Sequence, residues 1–302
     1  MGLFLLIFSI IKIIRRVFII MKKNFIIFAF LILISCGKAE NVNQNIQTGV
    51  KEQKIIKQEE NTVKERYGML EGYTRINYPE DSFSYYLQNF NLKKYGSQVY
   101  YFDGREKPNK VHDSVLDIDV GTQDLQQCAD AIMRLRAEYL FNNKRYKEIS
   151  FNFVNGFEAN FDKWASGYRI VNSSDKSSWV KKGSTDYSYE NYRKFMNIVF
   201  SYANTYSLDK QLKTKDLKQI SPGDVFIKPG FPGHAIIVMD VGENKAGNRI
   251  FLLAQSYMPA QDIHILKNYN NEKNSPWYSV EEINGALKTP EWTFTTDQFK
   301  SF

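Results

Sequence analysis

Thiols and imidazoles are scarce in this chain, which has two cysteines and three histidines in 302 residues. No Cys/His pair has the spacing of zinc ligands, so a metal site is not expected, and nothing in the sequence implies a cofactor. Dense blocks of lysine and arginine are also missing. A nucleic-acid-binding protein normally carries a concentrated basic face, so a nucleic-acid partner is set aside. No internal repeat is visible.

What is present begins with Cys36. It closes the run Leu33-Ile34-Ser35-Cys36, after an apolar stretch that follows Met21-Lys22-Lys23. A basic start, an apolar core and a small residue before the cleavage point make a secretory signal over 21–35. Leu-x-Ser before a cysteine resembles the lipobox of bacterial lipoproteins. That resemblance implies lipidation of the Cys36 sulfur, cleavage before it and anchorage in a membrane of the bacterial cell envelope. Gly37 is not the Asp that commonly marks inner-membrane retention, which leans to the outer membrane in a diderm. Residues 1–20 read as an extension ahead of the true start at Met21. The rival is a membrane-spanning helix, for which either apolar run alone falls short of about 20 residues.

The formal net charge is +7, but Lys12, Arg15, Arg16, Lys22 and Lys23 precede Cys36 with no acid among them. Without those five the mature chain carries about +2, so no strongly acidic partner is implied. With Cys36 lipidated, Cys128 has no disulfide partner, and the fold must stand on its apolar core. Residues 36–66 comprise the lipidated cysteine and a polar stretch without aromatics, read as a disordered tether. Residues 67–302 are expected to form a single domain.

Within that domain, Asp81-Ser82 caps a short helix carrying Phe83, Tyr86 and Leu87. Residues 97–102, 114–120 and 148–154 read as strands. A strong helix is expected from about Gln123 to Asn142, and a second from about 190 to 206 with Tyr192, Phe195, Met196, Val199 and Phe200 on one stripe. After the turn Ser221-Pro222-Gly223-Asp224 the chain becomes β, with strands near 225–227, 235–241, 250–255 and 263–266. Helices followed by short antiparallel strands argue an α+β fold, with helices packed on an antiparallel sheet.

The search for a nucleophile is short. Cys128 lies early in its helix, where the positive dipole end and free N–H groups favour thiolate and can hold an oxyanion. The competing reading is a small buried residue, since Leu125, Cys128, Ala129 and Ile132 share a face. His234 follows the loop Pro229-Gly230-Phe231-Pro232-Gly233 and opens an apolar strand, where a general base can reach another element. Gln255 ends the next strand and can fix the imidazole tautomer if the two strands pair. Asp117 and Asp119 share a strand face just before the Cys128 helix and, with Gln127, are candidate cleft residues. Asp130 and Arg134 have the i, i+4 spacing of a local ion pair. His264 alternates with apolar neighbours and is expected on the solvent face.

A cysteine at a helix start, a Gly-Asp-Val-Phe-Ile strand, Gly-His-Ala-Ile-Ile-Val and a following strand with a polar residue resemble the papain-like NlpC/P60 and CHAP peptidases and amidases. The resemblance implies a papain-like core in which Cys128 is nucleophile, His234 base and Gln255 the residue that orients it. Gln127-Cys128-Ala129 departs from the aromatic-or-Asp, Cys, Ser/Thr sequence common there. Leu116-Asp117-Ile118-Asp119-Val120-Gly121, Gln126-Gln127-Cys128-Ala129-Asp130, Gly233-His234-Ala235 and Ala254-Gln255-Ser256-Tyr257-Met258-Pro259-Ala260-Gln261 resemble, more closely, an uncharacterised family of bacterial lipoproteins, a domain of unknown function. Three functions stay open. One is a monomeric Cys-His hydrolase cutting amide bonds of envelope peptides or peptidoglycan. The others are a non-catalytic module binding envelope peptide or glycan, and a structural lipoprotein.

Overall fold

The computed structural model describes residues 55–173 and 176–302. The extension, the signal, Cys36 and tether residues 37–54 lie outside the described residues. Among the described residues the helices are α1 (Val63–Arg66), α2 (Phe83–Gln88), α3 (Cys128–Asn142), α4 (Phe161–Ala165), α5 (Tyr189–Tyr202) and α6 (Thr205–Gln211). The strands are β1 (Tyr73–Arg75), β2 (His112–Val115), β3 (Ser150–Asn152), β4 (Glu158–Asn160), β5 (Tyr168–Ser173), β6 (Lys176–Lys181), β7 (Lys213–Thr214), β8 (Val225–Lys228), β9 (His234–Asn244), β10 (Arg249–Gln255), β11 (His264–Leu266), β12 (Tyr278–Ser279), β13 (Ala286–Lys288), β14 (Thr293–Thr295) and β15 (Phe299–Ser301). The fold is α+β.

Nine strands form one antiparallel sheet. Its main path runs β2-β11-β10-β9-β8-β15-β7, with β1 added on β9 and β12 on β10. Both faces are covered, and the residues of β9 show it by alternation. Ala235, Ile237 and Met239 join the core built with α3 and α5, while Ile236, Val238 and Val241 join a second core with Phe294 and Phe299 from the C-terminal strands. Asp240 is buried between partners, accepting from Arg75 Nε at 2.8 Å and Gln88 Nε2 at 2.7 Å, which ties β1 and α2 to β9.

Helix α5 follows its sequence stripe: Tyr192, Phe195, Met196, Val199 and Phe200 are all buried. Four expectations shift. The strand expected over 114–120 spans His112–Val115, so Asp117 and Asp119 lie beyond its end and share no strand face. Residues 97–102 make isolated bridges rather than a strand, through Tyr100 with Glu106 and Tyr101 with Gln261. The folded domain begins before Tyr67, because residues 55–66 are part of it. There Val63 and Arg66 are fully buried. The Arg66 guanidinium donates to the main-chain carbonyls of Glu60 and Lys93 at 2.6–3.0 Å, which satisfies its buried N–H groups. Finally, α3 starts at Cys128 rather than near Gln123. Asp124 Oδ1 accepts from the backbone N–H of Ala260 at 2.7 Å and from Gln127 Nε2 at 3.0 Å. That long-range contact holds 124–127 in turns and sets Gln127 as the N-cap.

Candidate functional site

Cys128 is the first residue of α3, not one turn inside it. The end of β10 is fastened to this helix start, for Ser256 Oγ donates to the Gln126 carbonyl at 3.1 Å. The thiol lies against the beginning of β9, where the backbone N–H of Ala235 points at the sulfur. Cys128 is only 6% exposed. Burial, then the neighbouring Asp130 carboxyl, push its pKa up to about 11, against the pull of the Ala129, Ala235 and Cys128 N–H groups. The resting group is a thiol.

His234, next in the chain to Ala235, is 1% exposed. Its ring stands on the opposite side of the sheet from α3, among Tyr257, Trp292 and Phe294, with centroids 4.7–5.8 Å away. Tyr257 spans the two groups, since its phenol also feels the Cys128 thiol. Cys128 and His234 therefore approach one strand end from opposite faces.

β9 and β10 pair as the sequence argument required, and His234 Nε2 lies 2.9 Å from Gln255 Oε1. The other end of the amide fixes which atom is which. Gln255 Nε2 lies 2.7 Å from Glu291 Oε2, an acceptor. It also lies 3.4 Å from His264 Nε2, whose ring donates through Nδ1 to the Asp262 carbonyl at 2.8 Å. The amide nitrogen must face these two acceptors, so Oε1 faces His234 and receives its Nε2–H. His234 Nδ1 is left with the lone pair, the arrangement a base needs. Burial lowers the His234 pKa to about 4, opposed by Gln255 and then Glu291. The imidazole is neutral near pH 7.

His264 corrects its expectation, being fully buried. β11 is an inner strand between β2 and β10, and burial lowers the His264 pKa to about 3. Glu291 and Lys107 were not singled out in the sequence. Lys107 Nζ lies 2.8 Å from Glu291 Oε2 and is itself buried, so the carboxylate holding Gln255 has its own counter-charge. The two lie far apart in the chain without any local pattern, and only the fold brings them together.

A cavity of about 140 Å³ opens beside the thiol, lined in part by Gln127, Cys128, Asp130, Asn204, Thr205 and Phe231. Gln127 is thus at the cleft as expected. Asp117 and Asp119 are not. They line a separate cavity of about 560 Å³ with Arg134, Glu138 and several tyrosines. Asp119 pairs with Arg134 at 3.1 Å and Arg193 at 3.4 Å, and these charges outweigh its burial and lower its pKa. The expected Asp130–Arg134 pair is absent too, because Arg134 Nε turns to Glu138 Oε1 at 2.6 Å. Among the described residues no group of three His, Cys, Asp or Glu could hold a metal ion, and no helix is long and apolar enough to cross a membrane.

No curated protein and no solved structure matches the chain. A family model, described as a domain of unknown function (4846), matches residues 63–301. That span takes in α1, both sheet faces and every residue of the Cys128 and His234 constellation, and the chain belongs to this family.

Proposed function

We propose that this is an exported protein, lipid-anchored at Cys36, with a papain-like core that hydrolyses amide bonds of cell-envelope peptides through Cys128 and His234. The observation that carries the reading is the fixed tautomer of His234, with Nε2–H held by Gln255 and Nδ1 bare. The imidazole packs across the strand end from the thiol, so turnover requires the two to close on one another, the neutral ring then taking the thiol proton as sulfur attacks the amide carbonyl carbon. The N–H groups at the start of α3 are suited to the oxyanion. The proton passes to the leaving amine as the C–N bond breaks, and water then hydrolyses the thioester and restores the thiol. With a thiol pKa of about 11 and an imidazole near 4, proton transfer accompanies attack instead of preceding it.

The test is mass spectrometry of peptidoglycan-derived peptides incubated with the protein. New termini should appear, and Cys128→Ala should abolish them. Full cleavage by that variant removes Cys128 from the mechanism. The same buried, protonated thiol supports a second reading, a non-catalytic peptide- or glycan-binding lipoprotein on this fold. Unchanged affinity in Cys128→Ser with no cleavage by the wild type decides for it. Anchorage is checked separately: lipid attached to the Cys36 sulfur should be detected by mass spectrometry and lost in Cys36→Ser.

A further inference from the structure

The groove beside Cys128 contains a buried acid without a cation. Asp130, the third residue of α3, is 7% exposed. Its Oδ2 accepts from the backbone N–H of Gln127 at 3.1 Å, while its Oδ1 is buried with no hydrogen-bond partner. Buried polar atoms are rarely left so, and an exception points to a missing partner. The chain has a suitable cation one turn on, but Arg134 is taken by Glu138, Gln126, Asp119 and Tyr189.

The other groove residues do not answer Oδ1. Asp124, the second carboxyl there, is held by Gln127 and Ala260. The Asn204 amide oxygen caps α6 through the N–H groups of Tyr206 and Ser207. No Lys, Arg or His lines the cavity. Burial holds the Asp130 carboxyl well above its usual range, so the acid is held neutral until a counter-ion meets it. What fits is a compact cation with several N–H donors, in a space of about 140 Å³.

We propose that the Asp130 carboxyl is the recognition point for a primary ammonium group on a peptide lying in this groove, which uncovers the buried Oδ1 as it seats. The inference rests on the reading of the groove as a peptide cleft. It adds the substrate class, an amine-bearing peptide, and a register. Asp130 is two residues from Cys128 on the same helical turn. An ammonium there therefore sets the bond facing the thiol within about one or two residues of extended chain.

The experiment uses the full-length Cys128→Ala protein, so that turnover cannot consume the probe. Calorimetric affinities are measured at pH 7 for alanyl-alanine amide, its N-acetyl form, and Nα-acetyl-lysine methylamide. The first carries a free α-amine and the third a side-chain amine, which separates the two sources of ammonium. At least one free amine should bind roughly tenfold or more tightly than the acetylated peptide, and Asp130→Asn should erase that preference. Equal binding of free and acetylated forms, a preference that survives Asp130→Asn, or no binding by any probe overturns the proposal. The acetylation comparison needs no change at Asp130, so it decides even if that variant fails to fold. Binding with amine preference but no cleavage by the wild type would sink the hydrolase reading alone, whereas cleavage without amine preference would sink only this one.

Discussion

Gln255 reaches Glu291 through Nε2 at 2.7 Å while presenting Oε1 to His234, so a carboxylate that never touches the imidazole decides its tautomer. Glu291→Gln replaces an obligate acceptor with a group that can donate or accept, and the Gln255 amide then loses its fixed sense. Turnover should fall roughly 10- to 100-fold, in the range of a lost charge-assisted hydrogen bond. The ¹⁵N shifts of His234 should move from a single Nε2–H form towards a mixture. A variant with unchanged rate and shifts would show that Glu291 does not orient the ring.

Labelling of the Cys128 thiol should be slow. A pKa of about 11 leaves roughly 100-fold less thiolate near pH 8 than an ordinary cysteine has, and burial adds a barrier. The rate of iodoacetamide capture, followed by intact mass, should therefore lie well below that of the urea-unfolded chain. Capture faster than in the unfolded chain would reveal a preformed thiolate–imidazolium pair and overturn the proton-transfer order argued above.

Stability should fall as pH drops through the histidine range. Unfolded histidine titrates near 6.5, whereas His234 and His264 in the fold are lowered to about 4 and about 3. Between those values the unfolded chain binds more protons, so stability rises with pH and is lost on acidification, by a few kcal/mol for each ring at most. Asp130 and Asp240 are raised and act in the opposite sense, losing stability as pH rises through their folded values. The histidine contribution is isolated with His264→Gln, in which the difference in urea midpoint between pH 4.5 and 6.5 should shrink. An identical difference in both proteins would mean that His264 is not buried neutral.

The strand block from 225 to 255 was legible because long apolar runs between turn residues have few alternatives. The stripe of α5 was legible for the same reason, its period matching one buried face. Alternation around His264 gave its face but not whether that face is covered, and the covering comes from residues far along the chain. The start of α3 was misplaced because the bond from Ala260 N–H to Asp124 overrides local helix preference. Residues 55–66 were read as tether from polar composition, which cannot show Arg66 satisfying itself on main-chain carbonyls. Of the site, Cys128, His234 and Gln255 could be chosen because so few thiols and imidazoles exist. Glu291 and Lys107 could not, as the chain holds dozens of ordinary charged residues like them.

Gly233 has no room for a methyl group. A Cβ there would lie 2.4 Å from the Gly230 carbonyl oxygen and 2.6 Å from Thr205 Oγ1. Gly233→Ala should lower stability by about 1–3 kcal/mol and weaken binding in the groove, read from urea midpoints and titration. A neutral result on both would mean that the loop relaxes freely.

Phe231 is 95% exposed at the rim of the same groove. Phe231→Ala should leave the thermal midpoint unchanged, since no packing is lost, but weaken peptide binding several-fold. Equal affinity would place the ligand elsewhere.

The loop bearing Phe231 joins β8 to β9, and Lys228 pairs across it with His234. The exposed Phe231 and the buried His234 are therefore three residues apart on one hairpin. Only Pro232 and Gly233 lie between them. If a peptide settles against Phe231, as the proposed cleft requires, it loads the backbone of His234, so grip and alignment become two readings of one mechanical coordinate.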